Sequence, residues 1–168
     1  FRSKPETLTA VVTGMDLGKA AIARAVAAAL AVILVLSLKP SRTTWMAVAA
    51  LGALATGSLA WMGHGAATEG GGSSVHLISD ILHAWAAAVW IGALVAFLLL
   101  LRTPTPTPAA TVALHRALHG FSGVGTGLVA VLLATGVING WFLVGPDHLS
   151  GLWTTPYGRL LSLKLVLF

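Results

Sequence analysis

Four stretches of this 168-residue chain are apolar for long enough to cross a lipid bilayer. They run approximately over residues 17–38, 44–62, 76–101 and 121–144, and a fifth apolar stretch occupies 157–168. A hydrocarbon core about 30 Å thick needs about 20 helical residues, and lipid offers the backbone no hydrogen-bond partner, so each run must be an α-helix. The chain carries only ten basic and five acidic side chains, with a mean hydropathy of +0.89. A soluble domain would carry about a quarter charged residues. The expected fold is therefore all-α: a polytopic transmembrane helix bundle of four full spans plus the start of a fifth. The chain begins at Phe1 without an initiator methionine and ends at Phe168 inside an apolar run. It reads as a single membrane domain belonging to a longer protein.

The net charge of +5 does not indicate nucleic acid. The basic residues stand mostly singly at the ends of apolar runs, whereas a nucleic-acid face needs a basic stripe. They report orientation instead. Lys39 and Arg42 lie between the first two runs, and Arg102 and Arg116 lie between the third and fourth, which places both connections on the cytoplasmic side. Residues 63–75 and 145–156 then face outward. Trp45 on the inside, and Trp61, Trp141 and Trp153 on the outside, are candidates for aromatic belts. Ala84, Ala88, Gly92 and Ala96 recur at four-residue spacing, a pattern that lets a neighbouring helix pack closely. The Thr-Pro alternation over 103–108 reads as a stiff extended spacer.

Orientation turns the histidines into a geometry. His64, next to Met62, ends the second run on the outer side, and His76 opens the third. Asp80 and His83 follow at +4 and +7, on one helical face, with His83 about 10 Å below His76. His148 falls in the next outer loop and Met15 near the outer end of the first run. Ionisable groups at membrane depth are expensive and usually functional. With no cysteine in the chain, a soft metal must use histidine and methionine, which is a credible set for copper. The candidate ligands are His64, His76, His83 and Met62. Histidine accepts Cu(I) or Cu(II), while Met62 favours Cu(I). His76 and His83 are too far apart to hold one ion directly, because metal–nitrogen bonds are about 2 Å. At most one of them joins His64. The other serves a second site or carries protons.

Asp80, Asn139 and Lys164 are expected at similar depth. An unpaired charge there would cost several kcal/mol, so an Asp80–Lys164 pair is expected, with Asn139 nearby and Arg24 as the rival partner. His115 and His119 stand four apart beside Arg116 on the cytoplasmic side. They suit either a solvated lead-in to the fourth helix or an inner metal-release site. The sequence contains no phosphate-binding GxxxxGK[ST] loop. No nucleophile–base pair can be placed, and a non-enzymatic role is expected. A haem-binding electron-transfer bundle would use His83 as one axial ligand, and needs a second deep histidine facing it. A non-transporting subunit that presents copper to a partner is the other alternative.

Several stretches resemble the CopD/PcoD family of bacterial inner-membrane copper-resistance proteins. They are Trp61-Met62-Gly63-His64-Gly65, the run from His83 to Leu94, Phe121-Ser122 with Thr135-Gly136 and Asn139, and Thr155-Pro156-Tyr157-Gly158-Arg159-Leu160-Leu161-Ser162-Leu163-Lys164. The resemblance covers residues 61–168, and the first sixty residues match only as membrane helices. It implies copper movement across, or handling at, the bacterial inner membrane, with the outward loops in the periplasm and a periplasmic copper-binding protein as partner.

Overall fold

The computed structural model describes residues 13–60, 72–102, 107–145 and 151–167, without the side chains of Gly151, Leu152, Tyr157 and 164–167. Among these residues the chain is α-helical with no strand. The helices are α1 (Asp16–Ser37), α2 (Arg42–Gly57), α3 (Ser73–Leu101), α4 (Pro108–Val144), the single turn α5 (Gly151–Thr154) and α6 (Pro156–Leu167). Three of them, α1, α3 and α4, are long and apolar enough to cross a membrane. The second apolar run is helical to Gly57 and passes through a turn to Ala60, with Trp61 and Met62 outside the described residues. Sixteen helical residues cover roughly 24 Å.

Three helices start on the same chemistry. Ser41, Thr107 and Thr155 each accept a hydrogen bond from the backbone N–H three residues on: Thr44 at 3.1 Å, Ala110 at 3.2 Å and Gly158 at 3.0 Å. Such side-chain caps satisfy donors that the first turn leaves without intrahelical partners. At Thr107 and Thr155 the next residue is proline, whose fixed φ suits the first helical position. This is why α4 begins at Pro108 and not near Phe121, as the end of the apolar run had suggested. The residues that read as a spacer thus end in a helix start, and His115 and His119 ride on an exposed extension of α4.

Successive helices pack against one another, α1 on α2, α2 on α3 and α3 on α4. Burial is inverted relative to a water-soluble domain. The buried apolar residues are mainly small, Ala27, Ala60 and Ala86 with Leu132, while Ser58, His76, Ser79 and Thr135 are buried polar residues. Large aliphatic side chains such as Leu36, Val137 and Leu101 point outward. In a membrane protein lipid covers such a surface, and close helix contacts call for small residues inside. Trp45, Trp141 and Trp153 are exposed, as belt residues would be.

The α3–α4 seam is regular. On α3 it runs through His76, Ser79, His83, Ala86, Trp90, Ala93 and Phe97; on α4 it runs through Phe121, Gly125, Leu128, Leu132, Thr135, Asn139 and Phe142, all buried or half-buried. Alternating steps of three and four residues keep one face of each helix on its partner. The pairing is antiparallel. His76 meets Phe142 at one end, Trp90 meets Phe121 further along, and Phe97 meets Phe121 near the other end. The small-residue row does not form this seam: Ala88, Gly92 and Ala96 are exposed. The seam alternates steps of three and four because heptad spacing, rather than strict four-residue spacing, follows the helix face over a long contact.

Candidate functional site

Polar side chains collect at the end of the bundle remote from Lys39, Arg42 and Arg102. Three of them, His76, Asp80 and His83, stand on successive turns of α3, and the two histidines meet α4. His76 is 1% exposed and is the largest fully buried side chain among the described residues. Its ring stacks on Phe142, with centroids 4.7 Å apart and an interplanar angle of 7°. Behind Phe142 stands Gly72, where a Cβ would come within 2.7 Å of the phenyl ring. The imidazole is therefore held inside the seam, although its place at the start of α3 suggested an open rim.

Asp80 lies one turn further along α3. Its Oδ2 is 3.8 Å from His76 Nε2, and its side chain is 22% exposed. That separation is an electrostatic contact, longer than a hydrogen bond. The carboxylate thus meets an imidazole of its own helix. The side chain of Lys164, its expected partner, lies outside the described residues. Arg24, the rival, donates from Nε to Ser58 Oγ at 3.1 Å, linking α1 to α2. Asn139 faces the seam on α4, and among the described residues no hydrogen-bond donor reaches its buried Oδ1.

His83 is half-buried two turns below His76. Its Nδ1 lies 2.8 Å from Thr135 Oγ1, and that hydroxyl donates to the Val131 carbonyl at 2.6 Å. Ser79 reaches the same residue from the turn above, donating to the Thr135 carbonyl at 3.2 Å. Thr135 is thus gripped by α3 at two points. Ser79, Thr135 and Phe142 were not singled out as site residues by sequence reasoning, since a Ser, Thr or Phe in an apolar run reads as packing. The signal that could have found them is the three–four alternation itself, which places 76, 79 and 83 opposite 135, 139 and 142.

On the opposite side of α3 a cleft of about 510 Å³ opens between α1, α2 and α3, lined by Asp16, Lys19, Ala23, Gly57, Ser58 and Trp85 among others. Trp85 closes one wall by donating from Nε1 to the Ala53 carbonyl at 2.8 Å. Asp16 and Lys19 pair at 3.1 Å at its mouth. Met15 is exposed at the start of α1. His64, Met62 and His148 lie outside the described residues. Among the described residues no group of three or more His, Cys, Asp or Glu side chains converges as a metal cage. His115 and His119 are exposed on the α4 extension.

Residues 2–75 match the family described as Copper resistance protein D-like, N-terminal domain, and residues 115–168 match Copper resistance protein D. A Copper resistance protein D from Pseudomonas syringae pv. tomato is 41% identical over 160 residues, which are 94% of this chain and 51% of that protein. The chain belongs to the copper resistance protein D family. A second relative, Copper transport protein CutJ of Bacillus subtilis (strain 168), is 33% identical over 109 residues, 65% of this chain and 19% of the relative. The chain therefore spans about half the length of the first relative and about a fifth of the second. No solved structure matches it. Family membership and three membrane-length helices make this copper resistance protein D homologue a multi-pass membrane protein. Thr135, Asn139 and Phe142 fall within the second matched stretch, and His76, Asp80 and His83 fall between the two.

Proposed function

We propose that this chain receives and passes copper at the bacterial inner membrane, as a non-enzymatic part of a copper transport or copper handling protein. The observation that carries the proposal is the seam in which His83 meets Thr135 and His76 meets Phe142, with Asp80 beside His76: polar groups at the contact of two membrane-length helices. A membrane protein keeps such groups in its interior chiefly to bind or move something. The names of the two relatives supply the cargo: one is a copper resistance protein and the other a copper transport protein.

In this reading the polar end faces the periplasm, where copper arrives from a periplasmic copper-binding protein. His64 and Met62 meet the ion at the mouth, and His83 takes it deeper. His76, closed in by Phe142 and placed against Asp80, suits the protonation role better than an entry ligand. Asp80 and His83 are also the proton carriers if copper movement is proton-coupled. His115 and His119 form a release point on the cytoplasmic side. Histidine and methionine donors suit Cu(I), and histidine alone also accepts Cu(II).

The test is the copper content of the complete membrane protein, purified from copper-supplemented cells and measured by mass spectrometry. His64→Ala and His83→Ala are each expected to lose at least half of the bound copper. Equal copper in the wild type and both variants would remove these ligands and the proposed path with them.

A further inference from the structure

We infer that Thr135 is a positioning residue: it holds His83 as the Nδ1–H tautomer, so that Nε2 is the ring atom that takes a cation or a proton. The inference deepens the copper reading and rests on it for the identity of the cation. The argument is one of proton accounting. A carbonyl cannot donate, so the 2.6 Å contact between Thr135 Oγ1 and the Val131 carbonyl uses the one hydroxyl proton. The hydroxyl oxygen then has only lone pairs to offer. His83 Nδ1, at 2.8 Å, must be the donor. In a neutral imidazole one nitrogen carries the proton and the other the lone pair. The lone pair is therefore on Nε2.

The surroundings keep this arrangement in place. Ser79 donates to the Thr135 carbonyl at 3.2 Å, which fixes the α4 backbone at the level of the hydroxyl. Gly136, next to Thr135, lies beside the ring: a Cβ there would make ordinary van der Waals contact, 3.8 Å from His83 Cε1, the carbon between the two nitrogens. Metal-binding histidines generally donate their other N–H to a fixed acceptor, which orients the ring and raises its basicity. Thr135 supplies that acceptor from a different helix, so the ring orientation depends on the α3–α4 contact. A helix hydroxyl of this kind commonly bonds to its own i−4 carbonyl. Here that local bond is what converts the threonine from a donor into an acceptor.

The experiment uses the complete protein in nanodiscs with ¹⁵N-labelled histidine, first free of metal and then titrated with Cu(I) held by a competing chelator. Thr135→Val keeps the shape and removes the acceptor, and Thr135→Ser keeps the hydroxyl. The wild type and Thr135→Ser are expected to show His83 with a protonated Nδ1 and an unprotonated Nε2. Thr135→Val should lose that pattern and weaken Cu(I) binding about tenfold, the lower range for loss of a histidine's supporting partner. Rescue by serine separates positioning from packing. An unchanged ¹⁵N pattern in Thr135→Val overturns the inference. So does a changed pattern with undiminished Cu(I) binding, provided His83→Ala does lose binding. If the pattern changes and neither Thr135→Val nor His83→Ala alters Cu(I) binding, Thr135 still sets the tautomer, and the copper role of His83 is what fails.

Discussion

His76 shows how a single side chain is fixed from two directions. The imidazole lies against Phe142, and Phe142 lies against Gly72, so the ring has no room to retreat. Gly72 has φ −97°, which alanine adopts without strain. The obstacle to Gly72→Ala is therefore the 2.7 Å approach of a new Cβ to the phenyl edge. We expect this substitution to destabilise the protein by about 1–3 kcal/mol, the usual penalty for overpacking. Gly136→Ala is the matched control. Its Cβ meets only His83 Cε1 at 3.8 Å, and removing a mid-helix glycine is worth about 0.5–1 kcal/mol. Unfolding midpoints in detergent should fall for the first variant and hold or rise for the second. The opposite order would mean that the Phe142–His76 stack is not tight. At this scale the sequence made part of the site readable. Spacing alone put His76, Asp80 and His83 on one side of α3, yet the α4 partners of the two histidines, Phe142 and Thr135, stand more than fifty positions away, where no local pattern links them. Nor does spacing distinguish a rim histidine from one enclosed by a phenylalanine on another helix.

Helix existence was legible from hydropathy, and helix ends were legible only where capping chemistry was recognised. Helix α1 follows the apolar run nearly residue for residue, 16–37 against 17–38. Helix α4 overshoots its apolar run by thirteen residues at the N-terminus, because Thr107 and Pro108 start a helix that continues through the exposed His115, Arg116 and His119. At 37 residues it is roughly 55 Å long, well beyond a ~30 Å hydrocarbon core. The face that α3 turns to α4 is not the small-residue row but the one carrying Ser79, His83 and Ala86. A chain without cysteine makes that face directly testable. A Ser79→Cys/Thr135→Cys pair should cross-link through a short bifunctional thiol reagent, since the parent residues touch at 3.2 Å. An Ala88→Cys/Thr135→Cys pair should not, because Ala88 is on the exposed face of α3. Cross-linking of the second pair in place of the first would put α4 on the alanine row.

Across the described residues, the basic residues that flank the two short connections and the polar residues of the interior lie at opposite ends. Lys39, Arg42, Arg102 and Arg116 mark one end, while Arg24, Ser58, His76, Asp80, His83 and Asn139 lie toward the other. The two ends have different physical causes. Basic residues beside short loops resist translocation and stay cytoplasmic, whereas the opposite group is interior and has been drawn out of lipid by its own partners: Arg24 with Ser58, and His83 with Thr135. If both causes act on one chain, the polar interior opens to the outside. This links orientation to the copper proposal, since an ion can be received only by the compartment that the polar end faces. Gly14 precedes α1, with nothing within 4 Å of the Cβ it would carry, and Pro40 lies in the turn between α1 and α2. In spheroplasts, Gly14→Cys should react with a membrane-impermeant maleimide at once. Pro40→Cys should react only after permeabilisation. The reverse pattern would turn the polar end toward the cytoplasm. His83 would then stand on an exit route, and receipt of copper from a periplasmic partner at this end would be ruled out whatever the affinity of the site.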